Sequence, residues 1–299
     1  MDARVLRYFL AVAREGSVTA AAHFLHVTQP TLSRQIRELE DELSVQLFVR
    51  HSHSVSLTTD GMRLRRRAEE IVEMFEKTEA EFAVKKERIG GDIYIGAGET
   101  RVMRHVAEVL RELRQEYPDI HIHLYSGNLE DVTERLDKGL LDFGVLIQPA
   151  DLSRYDYVNL PEKDVWGVIT RKDNPLAARP AITRQDLIGE PLILSRQAIR
   201  RTSARNEFIE WFKDDFAKLN VAATLNLVYN ATHLVESGIG HVLTLDGLVD
   251  TSEHSNLCFR LLEPRLEAGL NIVWKKYQVF SPAAEIFLKK IQAAFGEVR

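Results

Sequence analysis

The hydrophobic and polar positions of the first 43 residues follow helical spacing. Between residues 3 and 13, apolar side chains recur on one helical face, which predicts a first helix. Ser17 and Thr28 are good N-cap residues and predict two further helices, 18–25 and 29–43. Three helices separated by such short breaks indicate a small helical domain.

The third predicted helix divides into an apolar stripe and a polar face. The residues of the stripe recur every three to four positions: Leu32, Ile36, Leu39 and Leu43. The side chains expected away from that stripe are polar: Gln29, Ser33, Arg34 and Arg37. Pro30 lies in the first turn, where its missing N–H costs little.

The next segment changes from strand character to one long helix. Two short strand-like runs, 47–49 and 55–57, flank a polar, partly basic tip and predict a β-hairpin. A helix then runs from residue 60 to about residue 88. Its apolar seam follows heptad spacing: Leu64, Ala68, Ile71, Phe75 and Phe82. We expect this seam to pair with a second copy of the chain, although it could instead pack against its own chain's core.

From residue 92 onward, strand-like and helix-like segments alternate. This alternation predicts an α/β domain with a parallel, doubly wound sheet. A strand-like run near the C-terminus, 270–276, is expected to return to the first half of this domain. It predicts two lobes, the first formed by 91–161 and 267–299 and the second by 162–266.

Composition limits the alternatives. The 299 residues, 45% of them hydrophobic, can form two domains with their own cores. No apolar run approaches the roughly 20 residues that cross a bilayer, and the N-terminus lacks an apolar signal core, so we expect a cytoplasmic protein without a membrane partner. Cys258 is the only cysteine, which excludes an internal disulfide and a cysteine-based zinc site. No motif predicts a cofactor or a metal.

Net charge gives no indication of nucleic-acid binding. The chain carries a net charge of −5, and residues 1–88 contain 14 basic and 14 acidic residues. A nucleic-acid interface therefore has to be argued from where particular charges lie.

One run of sequence is more specific than these patterns: LRYFLAVAREGSVTAAAHFLHVTQPTLSRQIRELEDELSVQLFVRHSHSVSLTTDG, residues 6–61. It resembles the DNA-binding half of the LysR-type transcriptional regulators. The resemblance implies a mainly α winged helix-turn-helix domain at 1–59, with the helix-turn-helix at about 18–37. It also implies a linker and dimerisation helix at 60–90 and an α/β two-lobed, periplasmic-binding-protein-like effector domain at 91–299.

The expected function is sequence-specific DNA binding that a small-molecule effector controls. A recognition helix presents its N-terminal residues to base edges in the major groove, where Gln suits adenine and Arg suits guanine. The third helix and the wing of the hairpin therefore provide the candidate contacts to double-stranded DNA: Gln29, Pro30, Thr31, Ser33, Arg34, Arg37, Arg50 and His53.

The effector is expected between the lobes, outside the carboxyl ends of the strands. The candidate contacts lie at strand ends and at the start of the following helices: Thr100, Ser126, Asn128, Gln148, Ser195, Arg196 and Thr202. Because helix N-termini favour negative charge, and because Arg200 and Arg201 follow one strand end, we expect a small organic anion.

Two alternatives remain open at this level. The C-terminal fold also serves solute-binding receptors, but residues 1–90 and the missing signal segment argue against that class. An enzyme on an α/β scaffold is disfavoured because no catalytic motif is present. The resemblance further implies homodimers with antiparallel linker helices, with two dimers often joining as a homotetramer.

Overall fold

The computed structural model describes residues 1–51, 54–83, 90–199 and 206–299. The chain divides into two compact units, Met1–Ala83 and Val84–Arg299. The candidate residues His53, Arg200, Arg201 and Thr202 lie outside the described residues.

The N-terminal unit is a helical domain with one hairpin. Its elements follow in chain order: α1 (Ala3–Glu15), α2 (Val18–Phe24), α3 (Gln29–Leu43), β1 (Phe48–Arg50), β2 (Val55–Leu57) and α4 (Thr59–Ala83). The predicted caps Ser17 and Thr28 accept hydrogen bonds from the first turns of α2 and α3. Strands β1 and β2 pair antiparallel and form the wing.

One core joins all these elements. Leu6 and Phe9 of α1 pack with Leu32 and Ile36 of α3, and Ala68 of α4 joins the same cluster. Gly61 is required where α4 begins, since a Cβ there would lie 2.1 Å from the carbonyl oxygen of Leu47. The beginning of α4 thus packs closely against the chain on both sides of the wing, at Leu47 and Leu57.

The C-terminal unit forms two α/β lobes. The first lobe contains β3 (Gly91–Ala97), α5 (Met103–Glu116), β4 (Ile120–Ser126), α6 (Leu129–Asp137), β5 (Phe143–Ile147) and β6 (Tyr155–Asn159). The second lobe contains β7 (Asp164–Arg171), β8 (Ile182–Thr183), β9 (Pro191–Ser195), α7 (Glu207–Phe212), β10 (Asn220–Leu225), α8 (Tyr229–Glu236), β11 (His241–Leu245), β12 (Leu257–Glu263) and β13 (Glu267–Ala268). The chain then returns to the first lobe as β14 (Leu270–Lys275) and α9 (Pro282–Phe295). Short 3-10 helices cover Pro175–Ala178, Gln185–Leu187 and Lys213–Lys218.

Each lobe is built on a mixed sheet, which corrects the expectation of a purely parallel one. The strand order is β4-β3-β5-β14-β6 in the first lobe and β10-β9-β11-β7-β12-β8 in the second. Strand β14 runs antiparallel to β5 and β6, and β7 runs antiparallel to β11 and β12. Strands β7 and β14 follow the two passages of the chain between lobes, and these passages explain their reversed direction.

The second passage lies slightly later than expected. Glu267 and Ala268 pair with Val165 and Asp164, so they belong to the second lobe rather than the first. The chain returns to the first lobe at Gly269. The two passages lie side by side, because β13 and the beginning of β7 form one antiparallel pair.

Candidate functional site

The N-terminal half of α3 presents a polar surface. Gln29, Pro30, Thr31, Arg34 and Arg37 are exposed. Arg34 Nε lies 3.6 Å from Glu38 Oε1, one turn later, and both side chains are exposed to solvent. A DNA phosphate or base can therefore take the place of Glu38 beside Arg34 at little cost in free energy. The side chains are therefore available on the end of the helix that enters a groove in helix-turn-helix proteins.

Two of the predicted α3 residues have additional roles. Ser33 is only 8% exposed, which corrects its placement on the polar face: it lies next to Leu32 at the edge of the buried stripe. The Thr31 hydroxyl lies 2.8 Å from that of Thr28 at the N-cap, so part of its hydrogen bonding is used within the helix start.

The wing is attached to α3 by a residue that the sequence did not single out for this purpose. Glu40 is 4% exposed, and its Oε1 accepts hydrogen bonds from the backbone N–H of Leu47 at 2.8 Å and of Phe48 at 3.2 Å. Sequence alone suggests only an acidic residue at the far end of α3. The contact fixes β1, whose last residue Arg50 is exposed, relative to the recognition helix.

The predicted seam of α4 is split between two environments. Ala68 is fully buried in the core of its own unit, and Leu64 packs against the same core, so the own-chain alternative applies to these two residues. Ile71 and Phe75 are each 43% exposed and Phe82 is 85% exposed. Spacings of 4 and 7 residues place these three on one helical face, and this exposed apolar face can pack against another protein surface.

The basic residues near the start of α4 are balanced within the helix. Arg63, Arg65 and Arg67 pair with Asp60, Glu69 and Glu70 respectively, at 2.9–3.3 Å. These pairs are typical of a solvated helix face rather than of a surface held free for phosphate.

A cleft between the two lobes of the C-terminal unit encloses a cavity of about 80 Å³. Its first-lobe walls come from Gly98, Asn128 and Gln148, which follow the ends of β3, β4 and β5. Trp166 and Phe208, whose ring centroids lie 4.8 Å apart, supply aromatic surface from the second lobe. The cleft lies where an open α/β sheet binds ligands.

Asn128, Gln148 and Ser195 line the cavity, and each of them makes hydrogen bonds within the protein. Asn128 Oδ1 caps α6 by accepting from the N–H of Glu130 and Asp131. Gln148 Nε2 donates to Asn271, and its Oε1 accepts from a backbone N–H. Thr100, Ser126 and Arg196 are not part of the described cavity lining, and their contact with an effector stays a prediction.

Thr100 instead joins the lobes at their hinge. Its hydroxyl donates to Asp164 Oδ2 at 2.5 Å, at the first residue of β7. Asp164 is fully buried and its Oδ1 has no hydrogen-bond partner. Burial raises the pKa of Asp164 from 3.8 to about 6, although the Thr100 hydrogen bond and the nearby Arg101 charge oppose that rise.

Glu99 and Gln197, besides Thr100, each extend from one lobe to the other. Glu99 Oε2, from the first lobe, accepts a hydrogen bond from the N–H of Val228 at the beginning of α8, at 2.8 Å. Gln197, from the second lobe, accepts from the N–H of Leu129 at the beginning of α6, at 3.2 Å. Neither residue was predicted as functional, since each acquires its role only when the lobes meet.

The described lining of the cavity is acidic, and Arg200 and Arg201, which were expected to supply positive charge, lie outside the described residues. The described lining includes the carboxylates Glu99, Glu207 and Glu267, and within that set there is no Lys or Arg. Arg265 and Lys163 contact Glu267 and hold the pKa of its carboxyl below the ordinary value, Arg265 having the larger effect. Positive potential within the described lining therefore comes from the helix N-termini.

Within the described ranges, no helix has both the length and the apolar character that crossing a membrane requires.

Comparison with known proteins agrees with this architecture. Residues 3–62 match the family described as "Bacterial regulatory helix-turn-helix protein, lysR family", and residues 86–296 match the "LysR substrate binding domain". The second match alone covers more than half of the chain.

Several similar proteins match over nearly their full length. The chain is 30% identical to the Hca operon transcriptional activator HcaR of Escherichia coli (strain K12), covering 100% of this chain and 99% of HcaR. It is 28% identical to the "Uncharacterized HTH-type transcriptional regulator YvbU" of Bacillus subtilis (strain 168), covering 97% and 98%. Full-length CbnR complexed with its target DNA has a TM-score of 0.73 at 21% identity, covering 98% of this chain and 100% of CbnR, and shows the same fold. The chain therefore belongs to the LysR family, and it is a transcriptional regulator with a DNA-binding helix-turn-helix and an effector-binding domain rather than an enzyme or a receptor.

Proposed function

We propose that this regulator reads its operator through the exposed N-terminal half of α3 and senses a small organic anion in the interlobe cleft. The observation that carries the DNA-binding part is the free surface of Gln29, Pro30, Thr31 and Arg34 at the start of α3. The solved complex of CbnR with its target DNA supports this assignment through the shared fold. We place this regulator in the cytoplasm, where a DNA-binding protein meets its operator.

The described contacts have different expected roles. Arg34 lies near the helix N-terminus, where a bidentate contact to guanine is possible. Arg37 lies further along the exposed face, and Arg50 ends β1, so both are better placed for the DNA backbone. His53 stays a prediction from the sequence. Ser33 is 8% exposed, and its contact to DNA stays a prediction from the sequence.

The proposal for the assembly is a homodimer, with homotetramers formed from two dimers. Ile71, Phe75 and Phe82 provide the exposed apolar face of α4 that supports it. Two heads held in one oligomer engage two half-sites, so the distance between heads sets which operators fit.

The proposal for the effector rests on the helix N-termini that face the cleft. The N–H of Val228 donates a hydrogen bond to the carboxylate of Glu99, and this contact supports an anionic group at that position. Apolar side chains including Trp166 and Phe208 suit an apolar ligand body. An effector alters transcription only if it has different affinities for the two arrangements of the lobes.

Binding measurements with two arginine variants test the DNA-reading assignment. Arg34→Ala is expected to reduce the difference in binding free energy between operator and random DNA by about 1–3 kcal/mol, because one base contact is lost. Arg37→Ala is the matched control and should weaken both DNAs equally while reducing the salt dependence. Equal losses on both DNAs for Arg34→Ala, at one fixed salt concentration, would assign Arg34 to the backbone as well.

A further inference from the structure

Two side chains of the described cavity lining, Glu99 and Gln197, make hydrogen bonds to the opposite lobe, and they do so in opposite directions. Glu99 extends from the first lobe to the N–H of Val228 in the second, at 2.8 Å. Gln197 extends from the second lobe to the first, where its Oε1 accepts from the N–H of Leu129 and its Nε2 donates to the carbonyl oxygen of Ile147 at 3.3 Å. Both residues are part of the cavity lining.

The two contacts occupy equivalent places in the two lobes. Glu99 follows the end of β3 by two residues, and Gln197 follows the end of β9 by two residues. Strand β3 pairs in parallel with β4, which leads into α6. Strand β9 likewise pairs in parallel with β10, which leads into α8. Each lobe thus offers one strand-end side chain and one helix N-terminus, and each side chain caps the helix of the other lobe.

We propose that Glu99 and Gln197 form a reciprocal latch that joins the two lobes across the cleft and competes with the effector for the same hydrogen-bonding positions. This inference rests on the proposed anionic effector, whose carboxylate takes the place of the Glu99 carboxylate at Val228. A neutral polar group of the effector takes the place of the Gln197 amide between Leu129 and Ile147. The apolar body of the effector lies against Trp166.

The two halves of the latch differ in strength. Glu99 provides a charged acceptor to a helix N-terminus, and such charge-assisted hydrogen bonds are about twice as strong as neutral ones. Gln197 provides a neutral amide. The effector's apparent affinity is reduced by the fraction of molecules in which the latch is closed, so weakening Glu99 should raise that affinity most.

Amide hydrogen exchange of the full-length ligand-free protein tests the latch without any effector. Glu99→Ala should accelerate exchange at Val228 by removing its acceptor. Because the latch is reciprocal, the same variant should also accelerate exchange at Leu129, and Gln197→Ala should accelerate both. Glu207→Gln, which alters an exposed carboxylate of the same cavity, is the matched control and should change neither. If each variant frees only the amide that its own side chain contacts, the two are independent caps and the latch is excluded.

Calorimetry with phenylacetate, and with phenylacetamide as its neutral counterpart, tests the competition. Glu99→Gln should raise phenylacetate affinity by roughly tenfold, since the charged competitor is lost. Glu207→Gln should change it by less than about twofold, and phenylacetamide should respond little to either change. Equal gains for both variants would show a general effect of charge and overturn the competition. If phenylacetate binds to no variant while the exchange coupling is found, the latch stands and the proposed anionic effector fails.

Discussion

The recognition surface on α3 and the interlobe cleft hold their functional groups in opposite ways. On α3, Arg34 and Gln29 extend into solvent and make few fixed contacts. In the cleft, Asn128 and Gln148 already make hydrogen bonds within the protein, and Glu99 spans the gap. The polar groups on α3 gain their contacts only when DNA binds, whereas the polar groups of the cleft hydrogen-bond within the protein until a ligand displaces them.

The difference follows from the shape of each partner. DNA is large and offers an extended array of charges, so an exposed helix can remain hydrated until it binds and loses little by doing so. A small effector is enclosed, and a polar group left unpaired in an enclosed cleft costs free energy. The cleft therefore needs internal partners when it is empty, and these partners become competitors of the effector.

The most destabilising change that we predict lies beneath the DNA-binding surface. Glu40→Ala removes the acceptor of two backbone N–H groups, those of Leu47 and Phe48. Each unpaired buried N–H costs about 1–3 kcal/mol, so the N-terminal unit should lose about 2–6 kcal/mol of stability. Urea unfolding followed by helical circular dichroism measures this loss. The exposed neighbour Asp41→Ala is the control, and similar effects for both variants would contradict the role given to Glu40.

A smaller effect on stability is expected at Asp164 in the effector unit. Here replacing the residue should stabilise the protein, whereas Glu40→Ala destabilises it. The unfolded carboxyl of Asp164 ionises near pH 3.8 and the folded one at about 6, so the folded state holds the proton more tightly. Stability therefore falls as the pH rises through this window, by up to about 3 kcal/mol, and the full penalty applies above pH 6.

Asp164→Asn removes this penalty because the amide stays neutral and its oxygen can still accept from Thr100. The variant should be more stable than the parent at pH 8 and should lose this advantage near pH 4. Thermal unfolding at the two pH values measures the difference. An advantage that is the same at both pH values would show that ionisation of Asp164 is not its source.

The smallest effect on the fold, but a large one on assembly, is predicted for Phe75→Glu. Phe75 is exposed, so the protomer should keep its helical content, while a carboxylate in the apolar face of α4 should prevent pairing because its desolvation is costly. Sedimentation analysis should show smaller species. Phe24→Glu introduces the same chemistry at a residue that is also exposed, on α2, and should leave the assembly unchanged. An unaltered oligomer for Phe75→Glu would place the interface elsewhere.

The periodic parts of the fold could be predicted because they depend on residues close in sequence. The caps Ser17 and Thr28, the wing and the alternation of strands with helices all have local signals. Assignments to one face of a helix were less secure. Ala68 lies about 60° around α4 from Ile71, so one residue enters the core and the other remains exposed.

The cleft could be predicted only as a location. Strand ends marked where Asn128, Gln148 and Ser195 would lie, but not what they would contact. Thr100 was assigned to the effector because it follows β3, whereas its hydroxyl contacts Asp164 from the other lobe. Glu99 and Gln197 were missed for the same reason, since their partners lie 129 and 68 residues away. A carboxylate two residues past a buried strand was the one signal that could have identified Glu99.

The place of β14 in the first lobe also has a consequence for how the chain is made. Strand β14 lies between β5 and β6, which it joins, and it begins at Leu270. The sheet of the first lobe is therefore incomplete on the ribosome until residues 270–275 have emerged, whereas the N-terminal unit and the continuous second lobe have all their strands earlier. A nascent regulator thus completes the unit that reads DNA well before it has a cleft with which to sense anything.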